Sequence, residues 1–165
     1  LPSWGVAMTV ERFVAGAIGE PGDREFRLEV VADGQVTAYL IEKLQVAALA
    51  EEAQNLLRER GTMGAGLSID PGDVAAETPL AFRVGGIQLA LDDDSGLVTI
   101  VLHSIEEEDL PVTCELTLPQ LDAFAREALA VVGSGRPACP RCGLAMDPDG
   151  HNCPRSNGDL RGHRP

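Results

Sequence analysis

Four residues near the C-terminus carry the clearest chemistry: Cys139 and Cys142 in Cys139-Pro140-Arg141-Cys142-Gly143, and His151 and Cys153 in Gly150-His151-Asn152-Cys153-Pro154. A Cys-x-x-Cys step containing proline and followed by glycine forms a tight knuckle that turns two sulfurs onto one ion, and His151 with Cys153 can complete a tetrahedron. Three thiolates and one imidazole suit a single zinc per chain. Such a closed shell leaves no position for water, so the expected role is structural rather than hydrolytic. The alternatives are a redox pair at Cys139 and Cys142, or a site whose fourth ligand is water or another chain with His151 a plain loop residue. A thioredoxin-like pair would open a helix after a strand in a βαβ context, which the flanking sequence lacks.

Other reactive groups are weaker. His103 is the sole histidine before the C-terminal tail and so the one ready candidate for a histidine general base. Its strand pattern favours an ordinary polar or satisfied core residue. Ser104 sits in no nucleophile-elbow pattern, and Cys114 alternates with Val112 and Leu116 as a small buried hydrophobe would. Asp92-Asp93-Asp94 and the run from Glu106 to Asp109 offer oxygens for a hard cation. Neither matches an EF-hand loop, and both fall where solvated hairpin turns are expected. Gly61-Thr62-Met63-Gly64-Ala65-Gly66 follows a helical pattern and lacks the Gly-Lys-Ser/Thr ending of a phosphate loop, so it reads as linker.

The elements that must position these groups are legible as two similar sets. Strand-like segments run over residues 12–18, 25–31 and 35–41, separated by Pro21-Gly22 and Asp33-Gly34 turn signals. Residues 42–60 then take helical spacing, with Leu44, Val46, Leu49, Ala53, Leu56 and Leu57 as an apolar stripe and Gly61 as its stop. Residues 62–79 read as a surface linker. A second set has strands over 82–91, 97–104 and 112–118 and a helix over 119–132 that opens on Pro119.

The helices align without gaps, Gln45 to Ala53 on Gln120 to Ala128, and Arg12 to Gly16 is loosely echoed by Phe82 to Gly86. These matches imply a duplicated strand-strand-strand-helix unit, although two alanine-rich amphipathic helices can also match by composition alone. The expected fold is α+β, an antiparallel sheet under two long helices with a C-terminal zinc knuckle. Its parts are a body over 1–132 (half one about 10–61, half two 80–132) and a zinc-binding tail over 133–165.

Charge narrows the partners. The 165 residues carry 13 Lys and Arg against 26 Asp and Glu, a net charge of -13. The tail holds Arg136, Arg141, Arg155, Arg161 and Arg164 against Asp147, Asp149 and Asp159, which leaves +2 there and -15 in the rest. Nonspecific affinity for a phosphate backbone comes from displaced counterions, so such a body disfavours nucleic acid. No run approaches the roughly 18 apolar residues of a membrane span. Leu1 to Gly5 lacks the basic and apolar regions of a signal peptide. With cysteines clustered as metal ligands rather than spread as a disulfide framework, the chain reads as cytoplasmic.

The tail, ending Cys153-Pro154-Arg155-Ser156-Asn157-Gly158, together with Glu11 to Gly16 and the turn Gly19-Glu20-Pro21-Gly22, resembles an actinobacterial family of conserved proteins whose function is unassigned. The likeness covers nearly the whole chain. It implies a genetic setting beside a phosphatidylinositol-kinase-like protein and a histidine-phosphatase-like or phosphomutase-like protein. It supplies no catalytic residues; only Cys139, Cys142, His151 and Cys153 carry over, as metal ligands. The expected function is therefore a nonenzymatic accessory or adaptor role with those kinase-like and phosphatase-like proteins as partners. The rivals are an enzyme or small-ligand binder with a cleft between the halves, and nucleic-acid binding through the tail.

Overall fold

The computed structural model describes residues 7–20, 22–62 and 72–133. Their order is β1 (Met8–Thr9), β2 (Arg12–Ile18), β3 (Glu25–Ala32), β4 (Gln35–Ile41), α1 (Lys43–Glu59), β5 (Leu80–Leu91), β6 (Val98–Ser104), β7 (Val112–Leu116) and α2 (Leu118–Gly133). Asp33 and Gly34 both take positive φ (52° and 75°), the geometry a two-residue hairpin demands, and so set the β3–β4 register through Ala32 and Gln35.

The seven strands form one sheet in the order β1-β7-β6-β5-β4-β3-β2. The sheet is mixed, which corrects the antiparallel expectation: β1 runs parallel to β7 and β4 parallel to β5. The parallel β4–β5 pair is the result of a helical crossover, since a strand that follows a helix back to the sheet re-enters in the same direction. The β1–β7 pair closes the structure. Val10 N donates to Glu115 O on β7 at 3.1 Å, and Glu11 N donates to Val31 O on β3 at 2.7 Å. One continuous stretch of chain therefore touches both ends of the strand order, and the sheet is rolled.

Strand β5 repeats this arrangement in the second half. Its first residues pair with β4 (Ala38 with Leu80, Leu40 with Arg83), and from Val84 onward it pairs with β6. In each half the leading strand thus starts parallel to the last strand of the other half, then switches to its own neighbour. The switch points are Val10 and Val84, both buried. Paired positions align Phe13 with Ile87, because Phe13 faces Val30 and Ile87 faces Leu102 in equivalent ladders. By the same ladders Gly86 corresponds to Arg12, so the echo of residues 12–16 in 82–86 is four residues out of register.

The helices are started by matching devices. In α1, Glu42 N donates to Gln45 Oε1 at 2.9 Å within a capping box. In α2, Thr117 N donates to Gln120 Oε1 at 2.8 Å and Gln120 N to Thr117 Oγ1 at 3.2 Å. Each glutamine also reaches the leading strand of the other half at its switch point: Gln45 Nε2 donates to Val84 O at 3.2 Å, and Gln120 Nε2 to Val10 O at 3.0 Å. The buried stripes correspond too, with Val46, Leu49, Ala50 and Ala53 in α1 against Leu121, Phe124, Ala125 and Ala128 in α2. These residues and the inner face of the sheet make one core cluster. Full burial of each large apolar side chain contributes about 1.5–3 kcal/mol.

Residues 72–79, within the surface linker expected over 62–79, are bonded to the outer face of the sheet. Glu29, 1% exposed on the outer face of β3, accepts hydrogen bonds from Ala75 N, from Thr78 Oγ1 at 2.9 Å and from Arg12 Nη2. Arg27 Nη1 donates to the carbonyls of Ala76 and Thr78 at 3.2 and 3.4 Å. This strap lies so close to β2 that a Cβ on Gly16 would stand 2.5 Å from the Val74 side chain. Glycine is the residue that permits the approach.

Candidate functional site

Two openings lie where the halves meet. The first, about 490 Å³, is lined by Arg24, Glu25, Phe26, Glu42 and Lys43 of half one and by Arg83 of half two. Arg83 Nη1 donates to Glu42 Oε1 at 2.9 Å across the junction, and Arg27 Nε donates to Glu25 Oε2 at 2.7 Å. Arg24 stands with its guanidinium 5.0 Å from the Phe26 ring centre and donates to Val131 O at 3.1 Å. The lining thus gathers three cations and two carboxylates in a strongly acidic chain. Its chemistry suits a small anionic ligand.

The second opening is a groove of about 430 Å³ between α1 and β5, lined by Gln45, Ala48, Leu49, Glu52, Gly86 and Ile87, among others. Its position is informative because in the other half an aromatic pair fills the corresponding place and the opening, about 360 Å³, lies further along α2 over Ala15, Gly16 and Glu127. In that pair Phe124 of α2 meets Phe13 of β2 edge to face, ring centres 5.0 Å apart. Leu49 and Ile87 occupy those two positions and line the groove. Leu44, on the first turn of α1, is 81% exposed.

The groups singled out from sequence are dispersed. His103 Nε2 lies 3.1 Å from Gln88 Oε1 on β5. Ser104, the last residue of β6, donates through Oγ to Asp109 Oδ2 at 2.7 Å and accepts from Glu106 N at 3.0 Å, bonds that hold the turn after the strand. Adjacent residues of a strand point to opposite faces, so His103 and Ser104 cannot act on each other. Cys114 is fully buried, and burial pushes its thiol up to about 12, far from a thiolate nucleophile. Tyr39 is likewise pushed up to about 12, by burial first and by the nearby Cys114 charge second. Asp92 is held below the usual carboxylate range by hydrogen bonds from the Asp94 backbone and from Ser95, all within its own turn.

Cys139, Cys142, His151 and Cys153 lie outside the described residues. Among the described residues no group of three or more His, Cys, Asp or Glu is placed to hold a metal ion. The cluster that sequence reasoning missed is Arg12, Arg27 and Glu29. Its only sequence signal is the alternation of Arg27 and Glu29 with Phe26, Leu28 and Val30, which ordinarily marks a wet outer face.

Rolled mixed sheet, two capped helices and clefts at the junction of two matching halves define an α+β protein with no helix, among the described residues, long and apolar enough to cross a membrane. Residues 7–153 match the family described as "Protein of unknown function (DUF3090)", and the chain belongs to that family. No curated protein and no solved structure matches it.

Proposed function

We propose that the protein is a nonenzymatic accessory or adaptor protein of the cytoplasm, working with a kinase-like and a histidine-phosphatase-like protein. The observation that carries this reading is the open α1–β5 groove. Phe13 and Phe124 fill the matching place in the other half, whose own opening lies further along α2 over Ala15, Gly16 and Glu127, so the apolar floor of Leu49 and Ile87 has no counterpart there. Its apolar floor of Leu49 and Ile87 beside Glu52 suits an apolar protein segment with a neighbouring basic residue, with the apolar contact supplying most of the energy. The test is reciprocal co-purification of the full chain with each proposed partner. Retention of neither partner at physiological salt contradicts the proposal.

The tail completes the reading. Cys139, Cys142, His151 and Cys153 form a donor set that matches the ligand preferences of structural zinc. Elemental analysis of the chain purified without added metal is expected to find one zinc, lost in the double variant Cys139→Ser, Cys142→Ser. Unchanged zinc content in that variant removes the assignment. The paired glutamines, Gln45 and Gln120, with their matching bonds to Val84 and Val10, support descent of the two halves from one duplicated unit.

A second reading, a small-ligand binder, is favoured by one observation: Arg24, Lys43 and Arg83 converge on the 490 Å³ opening from both halves. Titration of the full chain with inorganic phosphate and pyrophosphate, followed calorimetrically, tests it. Binding that disappears in Arg83→Ala supports this reading, and no heat from either anion counts against it. Nucleic-acid binding through the tail is disfavoured by the charge of the body. Submicromolar oligonucleotide affinity at about 0.15 M salt would restore it.

A further inference from the structure

Resting on the reading of the α1–β5 groove as a docking surface, we propose that its occupant is an extended, basic segment of a partner protein that joins the sheet as a further strand along the free edge of β5. Among the described residues, β4 pairs with β5 only as far as Arg83, and from Val84 to Leu91 the paired neighbour is β6. Asp92 N donates to Leu97 O at 2.9 Å, so the main-chain N–H of Asp92 points to the β6 side. Peptide groups alternate in direction along a strand, which turns those of Gly86, Gln88 and Ala90 to β6 and those of Ile87, Leu89 and Leu91 away from it. Gln45 marks the same outward side, its Nε2 donating to Val84 O at 3.2 Å and to Gly85 O at 3.4 Å. Past Gly85 the outward main-chain groups have no hydrogen-bond partner among the described residues.

The groove lies where these groups point, with Ile87 and Leu89 lining it from β5 and Ala48, Leu49 and Glu52 from α1. On β2 the corresponding residues, Phe13 and Ala15, are 3% and 1% exposed, whereas Ile87 and Leu89 are half-buried and Gln88 and Ala90 are exposed. From Gly86 to Leu91 the strand carries no charge and no proline, the residues that ordinarily keep an open sheet edge from pairing. Such an edge is completed by an extended chain, whose main-chain bonds give affinity and whose alternate side chains give specificity.

The surroundings of the edge fix the chemistry of the occupant. A strand laid beside β5 puts every second side chain on the inner side with Ile87, Leu89 and Leu49, and the others beside Gln88 and Ala90 in solvent. Alternating apolar and polar residues satisfy both sides. Glu52 in the groove and Asp92 and Asp94 beyond the end of β5 have no ion pair among the described residues. Lysine or arginine on the segment complements them. A second copy of this chain is the poorer occupant, since each copy brings a net charge of -13.

The test uses the full chain and a capped octapeptide alternating valine and lysine, followed by amide exchange in NMR spectra. Two N-methylated forms of the peptide, one blocked at its valines and the other at its lysines, keep its charge and side chains and each lose one hydrogen-bonding edge. In the free chain the Ile87 and Leu89 amides are expected to exchange at least about tenfold faster than those of Gln88 and Ala90, and the peptide to slow them by about tenfold. One N-methylated form is expected to bind as the parent peptide does and the other at least about tenfold more weakly. Leu89→Pro deletes an outward N–H and no bond to β6, so it is expected to weaken binding more than Leu89→Ala, which keeps that N–H. Equal binding of the two N-methylated forms overturns the proposal, whether or not Leu89→Pro folds. Protection of Ile87 and Leu89 in the free chain, by a second copy or by the chain itself, also overturns it. Because the peptide stands in for no particular protein, its failure leaves the adaptor reading to the co-purification test, and failure of co-purification leaves the edge to this one.

Discussion

The two helix seats differ in one respect that matters. On β2, α2 sets Phe124 against Phe13 and leaves an opening of about 360 Å³ further along, over Ala15, Gly16 and Glu127, whereas on β5, α1 leaves a groove of about 430 Å³ over Leu49 and Ile87. Caps, switch points and buried stripes are shared by the two halves, so a matching frame evidently does not require matching contents. One aromatic pair decides where along the helix its seat stays open. The outer faces differ in the same way, with Glu29, ion-paired to Arg12 and bonded to the strap, on half one and Val101 in its place on half two.

The largest effect expected is at the aromatic pair. Phe124→Ala deletes a ring that is 1% exposed and is expected to lower stability by about 3–5 kcal/mol, while Leu49→Ala at the open seat falls near the low end, about 2 kcal/mol. Denaturant unfolding measures both, and equal losses would erase the distinction between the seats. Next comes the strap. Glu29→Gln breaks a pair in which Glu29 is buried and Arg12 is 28% exposed, and is expected to cost about 3 kcal/mol, the low end for a buried ion pair. Gly16→Ala forces the strap at Val74 to shift and is expected to cost about 1–3 kcal/mol, whereas Ala90→Ser at the matching exposed position stays within about 0.5 kcal/mol.

Tyr39 and Cys114, on the last strand of each half, add a test by pH. Both have folded pKa values near 12, above the ordinary 10.0 and 9.0, so the native state keeps protons that the unfolded chain releases. The unfolded state then binds fewer protons, and stability falls as pH rises. The decline begins near pH 9 with Cys114, is joined by Tyr39 near pH 10, and approaches about 1.4 kcal/mol per pH unit for each group until the folded pKa is reached. Unfolding midpoints from pH 8 to 11 measure it. Cys114→Ala is expected to remove the part that starts near pH 9.

How much of this was legible in the sequence depends on the distance over which each feature is encoded. Strands Arg12–Ile18 and Gln35–Ile41 and helix Lys43–Glu59 follow local alternation, turn residues and stripe spacing, and they lie where those signals put them within a residue. Strand Met8–Thr9 is too short to show a period, and its parallel partner, β7, lies a hundred residues away along the chain. The strap at 72–79 has no periodicity because its order comes from Glu29 and Arg27, a side chain's reach from another strand. The α1–β5 groove was invisible for a related reason. It arises from the difference between Leu49 and Phe124 and between Ile87 and Phe13, and it emerges only when the ladders show which residues correspond.

The most direct test of the central claim is to close the open seat. Leu49→Phe with Ile87→Phe gives α1 and β5 the aromatic pair that α2 and β2 already have, in a groove with room for it, so folding stability is expected to stay within about 1 kcal/mol of the parent. Co-purification of this variant with the kinase-like and histidine-phosphatase-like proteins is the measurement. The parent chain is expected to retain a partner and the double variant, equally stable, to lose it. Retention of the same partner by both proteins contradicts the groove as the docking site.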